Sequence, residues 1–155
     1  MNIIAIDPGP IESAFVIWDG EKIKGKGKLK NSYVISGIAN ALRPHQEPCT
    51  VVIEMIASYG MAVGIEVFET CVWIGRFIEV ASQDNRVKRQ AVKLHHCHDS
   101  KAKDGNIRQA LIDRFGSPGT KKKPGTTYGL KADMWQAFAL AVYWHDTTNG
   151  GQKAA

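Results

Sequence analysis

Apolar residues in the first part of the chain gather in short runs separated by turn signals. Residues 2–6 form an apolar run that stops at Asp7-Pro8-Gly9-Pro10, a pattern typical of a buried strand ending in a sharp turn. Residues 13–18 predict a second strand, Asp19-Gly20 is a typical hairpin turn, and residues 21–30 predict a third strand that pairs back. The chain is therefore expected to open with three antiparallel strands.

Longer periodic segments follow these strands. The pattern predicts a helix, an interior strand, a long helix, another strand and two helices, at residues 32–43, 49–54, 60–81, 87–94, 104–115 and 131–144. The long helix has apolar side chains three and four positions apart, and this wide face can serve the core or a dimer. Residues 118–129 predict a loop. The whole order predicts an α/β protein with a mixed five-stranded sheet flanked by helices.

Composition places these elements in one domain. At 155 residues, with 44% hydrophobic and 23% charged residues, the chain has the size and balance of a single globular domain. We predict a domain at residues 1–147 and a loose tail at residues 148–155. Twenty Lys and Arg against fifteen Asp and Glu give a net charge of +5, which suits a polyanionic partner without establishing one.

Signals for export or membrane insertion are not recognisable in the sequence. The start reaches Asp7 without a basic stretch, and no apolar run approaches the roughly eighteen residues that predict a membrane span. Cys49, Cys71 and Cys97 are odd in number and follow no spacing pattern, which favours reduced thiols over a disulfide framework. We therefore expect a cytoplasmic protein with no membrane partner.

Three acidic residues stand at the ends of predicted apolar elements. Asp7 ends the first strand, Glu54 ends an interior strand, and Asp133 falls in the first turn of the closing helix. Each alone can be a turn or capping residue. In an open α/β sheet, however, ligands bind outside the carboxyl ends of the strands, where acids from different strands can converge. Converging carboxylates favour magnesium, and two such ions can assist phosphodiester hydrolysis.

Three segments carry a resemblance to a known family. They are Ile4–Gly9, Val51–Glu54, and Lys131–Asp133 followed by Ala137–Ala141. In this order they resemble the RuvC family of Holliday junction resolvases over nearly the whole chain, and residues 101–111 are similar to phage-encoded relatives. The resemblance implies an RNase H-like fold, a homodimer, dependence on Mg²⁺ or Mn²⁺, and paired incisions in a four-way DNA junction, in a bacterial or phage-infected cell.

The resemblance also implies roles for single residues. Asp7 would bridge two metal ions, Glu54 would hold one of them, and Asp133 would complete the site from the closing helix. A basic residue is expected near the scissile phosphate, and Lys101 and Lys103 are the candidates, with a slight preference for Lys103.

The chain departs from the family pattern at two places. Where the family has a second acid on the closing helix, Gln136 stands three residues after Asp133, on the same helical face. The amide oxygen of Gln136 can coordinate weakly, or Asp104 or Asp146 can substitute. The family often has an aromatic residue soon after the second-strand acid, and Tyr59 is the nearest ring here, available either to stack on a base or to pack at a loop.

Basic residues form two groups that could contact DNA. Lysines alternate along the third predicted strand at Lys22, Lys24, Lys26, Lys28 and Lys30, so an extended strand would project them from one face. Such a stripe either faces DNA or protects an edge strand from aggregation. Lys121, Lys122 and Lys123 either hold a phosphate backbone, with salt-dependent and sequence-independent affinity, or belong to a solvated loop.

The histidine-rich segment at residues 95–98 and the aromatic residues of the predicted helices invite other interpretations. All four residues of His95–His98 are possible zinc ligands. Contiguous residues on a strand alternate between its faces, however, and no second cluster in the sequence has zinc-ligand spacing. Assistance in proton transfer or a phosphate contact is the better interpretation. Core or dimer packing is expected for four helical aromatics: Trp73, Trp135, Tyr143 and Trp144.

Two other functions share part of this pattern. The same fold and metals could act on flap DNA or RNA–DNA hybrids, and a non-catalytic module that binds branched DNA would explain the missing fourth acid. A nucleotide cofactor is not expected, because 155 residues are too few for a two-lobed phosphotransferase cleft.

Overall fold

A single mixed sheet organises the part of the chain that the computed structural model describes, residues 1–148. Its strands are β1 (Asn2–Asp7), β2 (Glu12–Trp18), β3 (Ile23–Lys30), β4 (Cys49–Met55) and β5 (Arg86–Lys88), in the order β3-β2-β1-β4-β5. The β1–β2 and β2–β3 pairs are antiparallel, whereas β1–β4 and β4–β5 are parallel. The predicted mixed five-stranded sheet, with three antiparallel N-terminal strands, is confirmed.

Helices cover both faces of this sheet. They are α1 (Asn31–Ala41), α2 (Ile65–Ala81), α3 (Arg89–Cys97), α4 (Asp104–Phe115) and α5 (Met134–Thr148). Alternation along β1 separates two cores: Ile3 and Ala5 pack with α3, α4 and α5, whereas Ile4 and Ile6 pack with α1 and α2. The acidic residues of interest belong to the first of these faces.

The closing helix α5 lies against the centre of the sheet. Residues 137–142, with the sequence AFALAV, are all at most 1% exposed. The small side chains of Ala137, Ala139 and Ala141 are fully buried and leave room for close packing of the helix, while Phe138 contacts Trp18 edge-on with ring centroids 5.1 Å apart. Because α5 is fixed in this way, the position of its N-terminal end relative to the strand ends is fixed too.

The fifth predicted strand, residues 87–94, is wrong over most of its length. Strand β5 has only three residues, and helix α3 begins at Arg89 where residues 87–94 were expected to be extended. The segment contains Arg, Gln, Ala, Lys and Leu, which favour helix, and a single buried Val92 is enough to anchor it. The His95–His98 segment is therefore the end of a helix and not part of a strand.

Other element boundaries moved by a few residues. The long helix begins at Ile65 and not at residue 60, since Gly60 has a φ of +73° that a helix cannot include. The closing helix begins at Met134 and runs to Thr148. The third strand begins at Ile23, which leaves Lys22 in the turn. The tail predicted from residue 148 lies outside the described residues apart from Thr148, which ends α5.

Aromatic packing on the helices follows the expectation of core burial. Trp135 is 3% exposed in the α5 core, and Tyr143 and Trp144 are half-buried against the same core. Trp73 packs in part against the core under α2. None of the helices within residues 1–148 has the length and apolar character needed to cross a membrane.

Candidate active site at the carboxyl ends of the central strands

The adjacent strands β1 and β4 bring two carboxylates together. Their parallel register pairs Ile6 with Ile53, so that Asp7 and Glu54 follow side by side at the strand ends. Asp7 lies two residues after Ala5 and Glu54 two residues after Val52, so both acids are on the same face of the sheet as these core residues, which face α5. Glu54 is only 6% exposed. Two acids with little access to water are therefore held next to each other on the face of the sheet that α5 covers.

A third acid approaches from the start of α5. Asp133 directly precedes the helix, one residue outside its predicted position in the first turn, and its carbonyl accepts hydrogen bonds from the N–H groups of Gln136 and Ala137, each at 3.1 Å. The Asp133 side chain is half exposed and accepts a hydrogen bond from Lys28 Nζ at 2.6 Å. Asp7, Lys28 and Asp133 line one shared depression, with the turn after β1.

Gln136 occupies a groove next to this depression. It is 5% exposed, and the groove between the starts of α4 and α5 is lined by both Asp133 and Gln136 together with Asp104 and Arg108. The guanidinium of Arg108 lies 5.0 Å from the ring centroid of Trp135. The amide that stands at the family's second helical acid is therefore close to the acidic site but largely buried.

Arg89 is a member of this site that the sequence did not reveal. Its Nη2 atom is 2.6 Å from Asp104 Oδ1 and its Nη1 atom is 3.5 Å from Glu54 Oε1. A strand over residues 87–94, as the sequence predicts, gives Arg89 no special place beside the acids. The pairing of Glu54 with Val87 places the first turn of α3 beside the acid, a position that only the short β5 makes apparent.

Burial and mutual repulsion shift the acids toward their neutral forms. Burial, followed by the charge of Glu54, raises the pKa of Asp7 to about 8, although Arg89 acts in the opposite direction. Burial also raises the pKa of Glu54, again against the influence of Arg89. Asp104 and Asp133 contribute to both upward shifts. The positive charge of Arg89 therefore does not offset the combined effect of burial and the neighbouring carboxylates on these two pKa values.

The donor set suits a hard divalent cation. Within residues 1–148 no three His, Cys, Asp or Glu side chains stand close enough to form a ready-made metal centre. Instead, Arg89 and Lys28 pair with the acids, and the Nε atom of Arg89 is buried without a hydrogen-bond partner. Carboxylate and amide oxygens are ligands that magnesium accepts. Asp7, Glu54 and Asp133, with the Gln136 amide, therefore fit such an ion chemically, once the ion pairs rearrange.

The lysines of β3 occupy a sheet edge. Lys24, Lys26 and Lys28 are exposed, and the intervening Gly25 and Gly27 lie under Ile17 and Phe15 of β2, where an added Cβ would come within 3.1 Å and 3.0 Å of those side chains. Lys24 pairs with Glu47 at 2.9 Å, near the start of β1 and at the opposite end of the sheet from Asp7. Of this stripe, only Lys28 contacts the acidic site directly.

The three consecutive lysines sit on a small hairpin. Gly119 and Pro124 form an antiparallel bridge, and the N–H groups of Thr120 and Lys123 each donate to the other's carbonyl at 3.1 Å. A Cβ added at Gly119 would come within 2.3 Å of the Lys123 carbonyl oxygen, so the turn depends on glycine there. Lys121, Lys122 and Lys123 are all exposed at its tip. The segment predicted as a loop thus has defined backbone pairing.

Three further candidates lie around the acidic site. Lys101 and Lys103 are exposed in the connection between α3 and α4, and the Lys103 N–H donates to Asn106 Oδ1 at 2.9 Å, which caps α4. Lys103 directly precedes Asp104, the partner of Arg89. Tyr59 is 61% exposed in the irregular segment that follows β4. Within residues 1–148, none of these three side chains forms an ion pair with Asp7, Glu54 or Asp133.

The histidines of α3 bind partners on α5. His95 Nε2 is 2.7 Å from Asp146 Oδ2, and His96 Nε2 is 2.8 Å from the Ala139 carbonyl oxygen. Arg114 binds both carboxylate oxygens of Asp146, at 2.5 and 2.9 Å. Burial acts to raise the pKa of Asp146, but the Arg114 and His95 hydrogen bonds outweigh it and hold the pKa at about 2. Asp146 is therefore engaged at the far end of α5, and Asp104 is the alternative acid nearer the site.

Comparison with solved structures identifies the fold. The structure of Thermus thermophilus RuvC superposes with a TM-score of 0.66 at 15% sequence identity, covering 97% of each chain. T. thermophilus RuvC in complex with a Holliday junction substrate superposes equally well, at 13% identity over 97% of this chain and 96% of that one. The chain has the RuvC-like form of the RNase H-like fold. No family model and no curated relative matches the sequence.

Proposed function

We propose that this protein is a metal-dependent endonuclease that resolves four-way DNA junctions by paired phosphodiester hydrolysis. The observation that carries the proposal is the side-by-side placement of Asp7 and Glu54 at the ends of parallel β1 and β4, with Asp133 delivered by α5. The likeness in fold to RuvC, one structure of which holds a Holliday junction substrate, supports the choice of substrate. Such an activity would serve DNA recombination or repair in a bacterial or phage-infected cell.

In this proposal each acidic residue has a separate task. Asp7, between Glu54 and Asp133, would be shared by two Mg²⁺ or Mn²⁺ ions, with Glu54 holding one and Asp133 and the Gln136 amide holding the other. The bound ions would supply an activated water and would stabilise the charge on the leaving oxygen. Lys103, or Lys101, on the exposed α3–α4 connection would hold the scissile phosphate in place.

Junction cleavage provides the test of this function. Wild-type protein, incubated with a synthetic four-way junction and Mg²⁺, should give symmetric nicks, and Asp7→Asn should bind the junction but cut it at least a hundredfold more slowly, since metal-site acids are needed for chemistry and not for affinity. Asp19→Asn is the matched control, because Asp19 accepts hydrogen bonds in the turn before β3. Flap DNA and RNA–DNA hybrid serve as competing substrates, and preferred cutting of either would redirect the proposal to that substrate.

The basic surfaces are proposed to hold the arms of the junction. The candidates share exposure to solvent: Lys22, Lys24, Lys26 and Lys28 at the β3 edge, the hairpin lysines Lys121, Lys122 and Lys123, and Tyr59 after β4. Each phosphate contact releases counterions, which makes binding weaker as the salt concentration rises. Removing the three hairpin charges should therefore reduce the slope of log K against log salt concentration by the equivalent of up to about three phosphate contacts. A triple alanine variant of the hairpin with an unchanged salt slope would remove this surface from the interface.

An exposed apolar stripe on α2 is proposed as the homodimer interface. Ile65, Phe68 and Val72 are 72%, 62% and 59% exposed, and they point away from the core that Ile74 and Phe77 fill. Large exposed patches of this kind mark interaction sites. Charge complementarity points to a second copy: in an antiparallel pairing centred beside Val72, Glu69 of one helix would meet Arg76 of the other, as two-fold symmetry requires.

Sedimentation equilibrium tests this interface. Phe68→Asp should give a monomer, whereas Leu94→Asp, which alters an exposed leucine on the opposite face of the sheet, should stay dimeric. Arg76→Glu should weaken the dimer, and adding Glu69→Arg to it should restore association because the charge pair is then reversed. A dimer that Phe68→Asp leaves intact would place the interface elsewhere.

A non-catalytic branched-DNA binding module is the second candidate, and it has its own support. Gln136 stands where a fourth acid is expected, and Arg89 and Lys28 already pair with the acids. This candidate predicts junction binding with no dependence on divalent ions, and no cleavage of any branched, flapped or hybrid substrate. Metal titration of junction binding, followed alongside the cleavage assay, separates the two functions.

A further inference from the structure

Arg89 occupies a position between two carboxylates that come from different parts of the fold. It is the first residue of α3, directly after β5, and its guanidinium reaches Glu54 on β4 with one nitrogen and Asp104 at the start of α4 with the other, at 3.5 and 2.6 Å. A single side chain therefore links the central sheet to α4 through charge. Both acids lie close enough to Asp7 to influence its pKa.

The contacts of Arg89 are incomplete for a partly buried guanidinium. The distance to Glu54 exceeds the range of a good N–H···O hydrogen bond, and the Nε atom is buried with no partner. Arginine usually binds carboxylates through two parallel hydrogen bonds, which this geometry does not provide. Asp104 therefore holds the guanidinium by a short hydrogen bond, whereas Glu54 attracts it electrostatically without a good hydrogen bond. Withdrawal of Arg89 from Glu54 alone would sacrifice little hydrogen-bond energy.

We propose that Arg89 is a tethered counter-ion that occupies the acidic site in the metal-free protein and must withdraw from Glu54 when a divalent ion binds. Arg89 is then a positioning residue: it keeps the acids together in the absence of metal and sets the metal affinity of the site. This inference rests on the proposed function, because it assumes that Glu54 is a metal ligand. It predicts that metal affinity is limited by the chain's own cation.

The direction of the effect follows from charge. Arg89 Nη1 lies 3.5 Å from Glu54 Oε1, so a divalent ion held by Glu54 would meet the guanidinium at short range. Two positive charges at such range repel appreciably even at an effective dielectric constant of about 20. Part of this repulsion is relieved by movement of the long arginine side chain. Removing the charge should therefore tighten metal binding by about tenfold.

Titration calorimetry with Mn²⁺ on the DNA-free, full-length protein tests the inference. Arg89→Gln should bind Mn²⁺ about tenfold more tightly than wild type. Arg86→Gln is the matched control, since Arg86 is three residues earlier, more exposed, and pairs only with Asp84 at 2.7 Å. Arg89→Lys keeps the positive charge but not the planar guanidinium. Its Mn²⁺ affinity should lie between those of wild type and Arg89→Gln, and it remains informative if Arg89→Gln does not fold.

Each result of this titration decides the matter. Tighter binding by Arg89→Gln alone, including binding where wild type shows none, supports a competing arginine. Unchanged or weaker binding by Arg89→Gln overturns it, and so does equal tightening in Arg86→Gln. If wild type cuts junctions with Mg²⁺ while Arg89→Gln binds no more tightly, only this inference fails. If no variant binds Mn²⁺ and none cuts, the inference and the proposed function fail together.

Discussion

Replacing Asp7 with asparagine should stabilise the metal-free protein at pH 8 while it abolishes cleavage. The pKa of Asp7 is raised from 3.8 to about 8, so between these values the folded state keeps a proton that the unfolded chain has released. Stability must then fall as pH rises through this window. This difference between the folded and unfolded pKa of Asp7 sets a ceiling of about 5 kcal/mol on the destabilisation at pH 8. Water entry and movement of Arg89 relieve part of it, leaving an expected gain of about 1–2 kcal/mol for Asp7→Asn.

Urea unfolding in EDTA at pH 5 and pH 8 measures this effect. The advantage of Asp7→Asn over wild type should be larger at pH 8 than at pH 5, because the ionised form accumulates as pH rises. Added Mg²⁺ should reverse the order by stabilising wild type selectively. A wild type that is equally stable at both pH values, or an Asp7→Asn variant that is less stable than wild type at pH 8, would refute the account of a buried, under-neutralised acid pair.

Two further predictions concern the packing of α5. Asp146→Asn should lower the free energy of unfolding by about 2 kcal/mol at pH 7, since the pKa of Asp146 is lowered from 3.8 to about 2. The difference from wild type should shrink as pH falls from 4 to 2. A difference that persists at pH 2 would contradict the ion-pair explanation. Phe138→Ala should lower the free energy of unfolding, measured in urea, by about 3–5 kcal/mol because this side chain is fully buried against Trp18. Phe68→Ala should lower it by less than about 1 kcal/mol in the monomer, because Phe68 is exposed. Similar losses for the two variants would place Phe68 in the monomer core.

The sheet and its acids were predictable from local patterns. Short apolar runs and turn signals locate β1, β2 and β4, and an acid at the end of an apolar strand has few reasons to be there other than a turn or a ligand. The parallel pairing of β1 with β4 is not local, yet the position of a helix between β3 and β4 permits it. Asp7 and Glu54 could therefore be proposed as neighbours before their register was known.

Arg89 and its pairing with Asp104 could not be predicted in the same way. Residues 87–94 have two buried residues, Val87 and Val92, and too little periodicity to distinguish a strand from a helix. The residues of this segment favour a helix, and the packing of Val92 against α4 and α5 holds that helix in place. The ion pair of Lys28 with Asp133 spans 105 residues of sequence, so no pattern along the chain predicts it.

The most direct test of the central claim compares two glutamates of one chain in Mg²⁺-dependent cleavage of a four-way junction. Glu54 lies at the candidate site, and Glu47 pairs with Lys24 at the other end of the sheet. We predict that Glu54→Gln abolishes the symmetric nicks while retaining junction binding, and that Glu47→Gln cuts at the wild-type rate. Unimpaired cutting by Glu54→Gln would contradict the account.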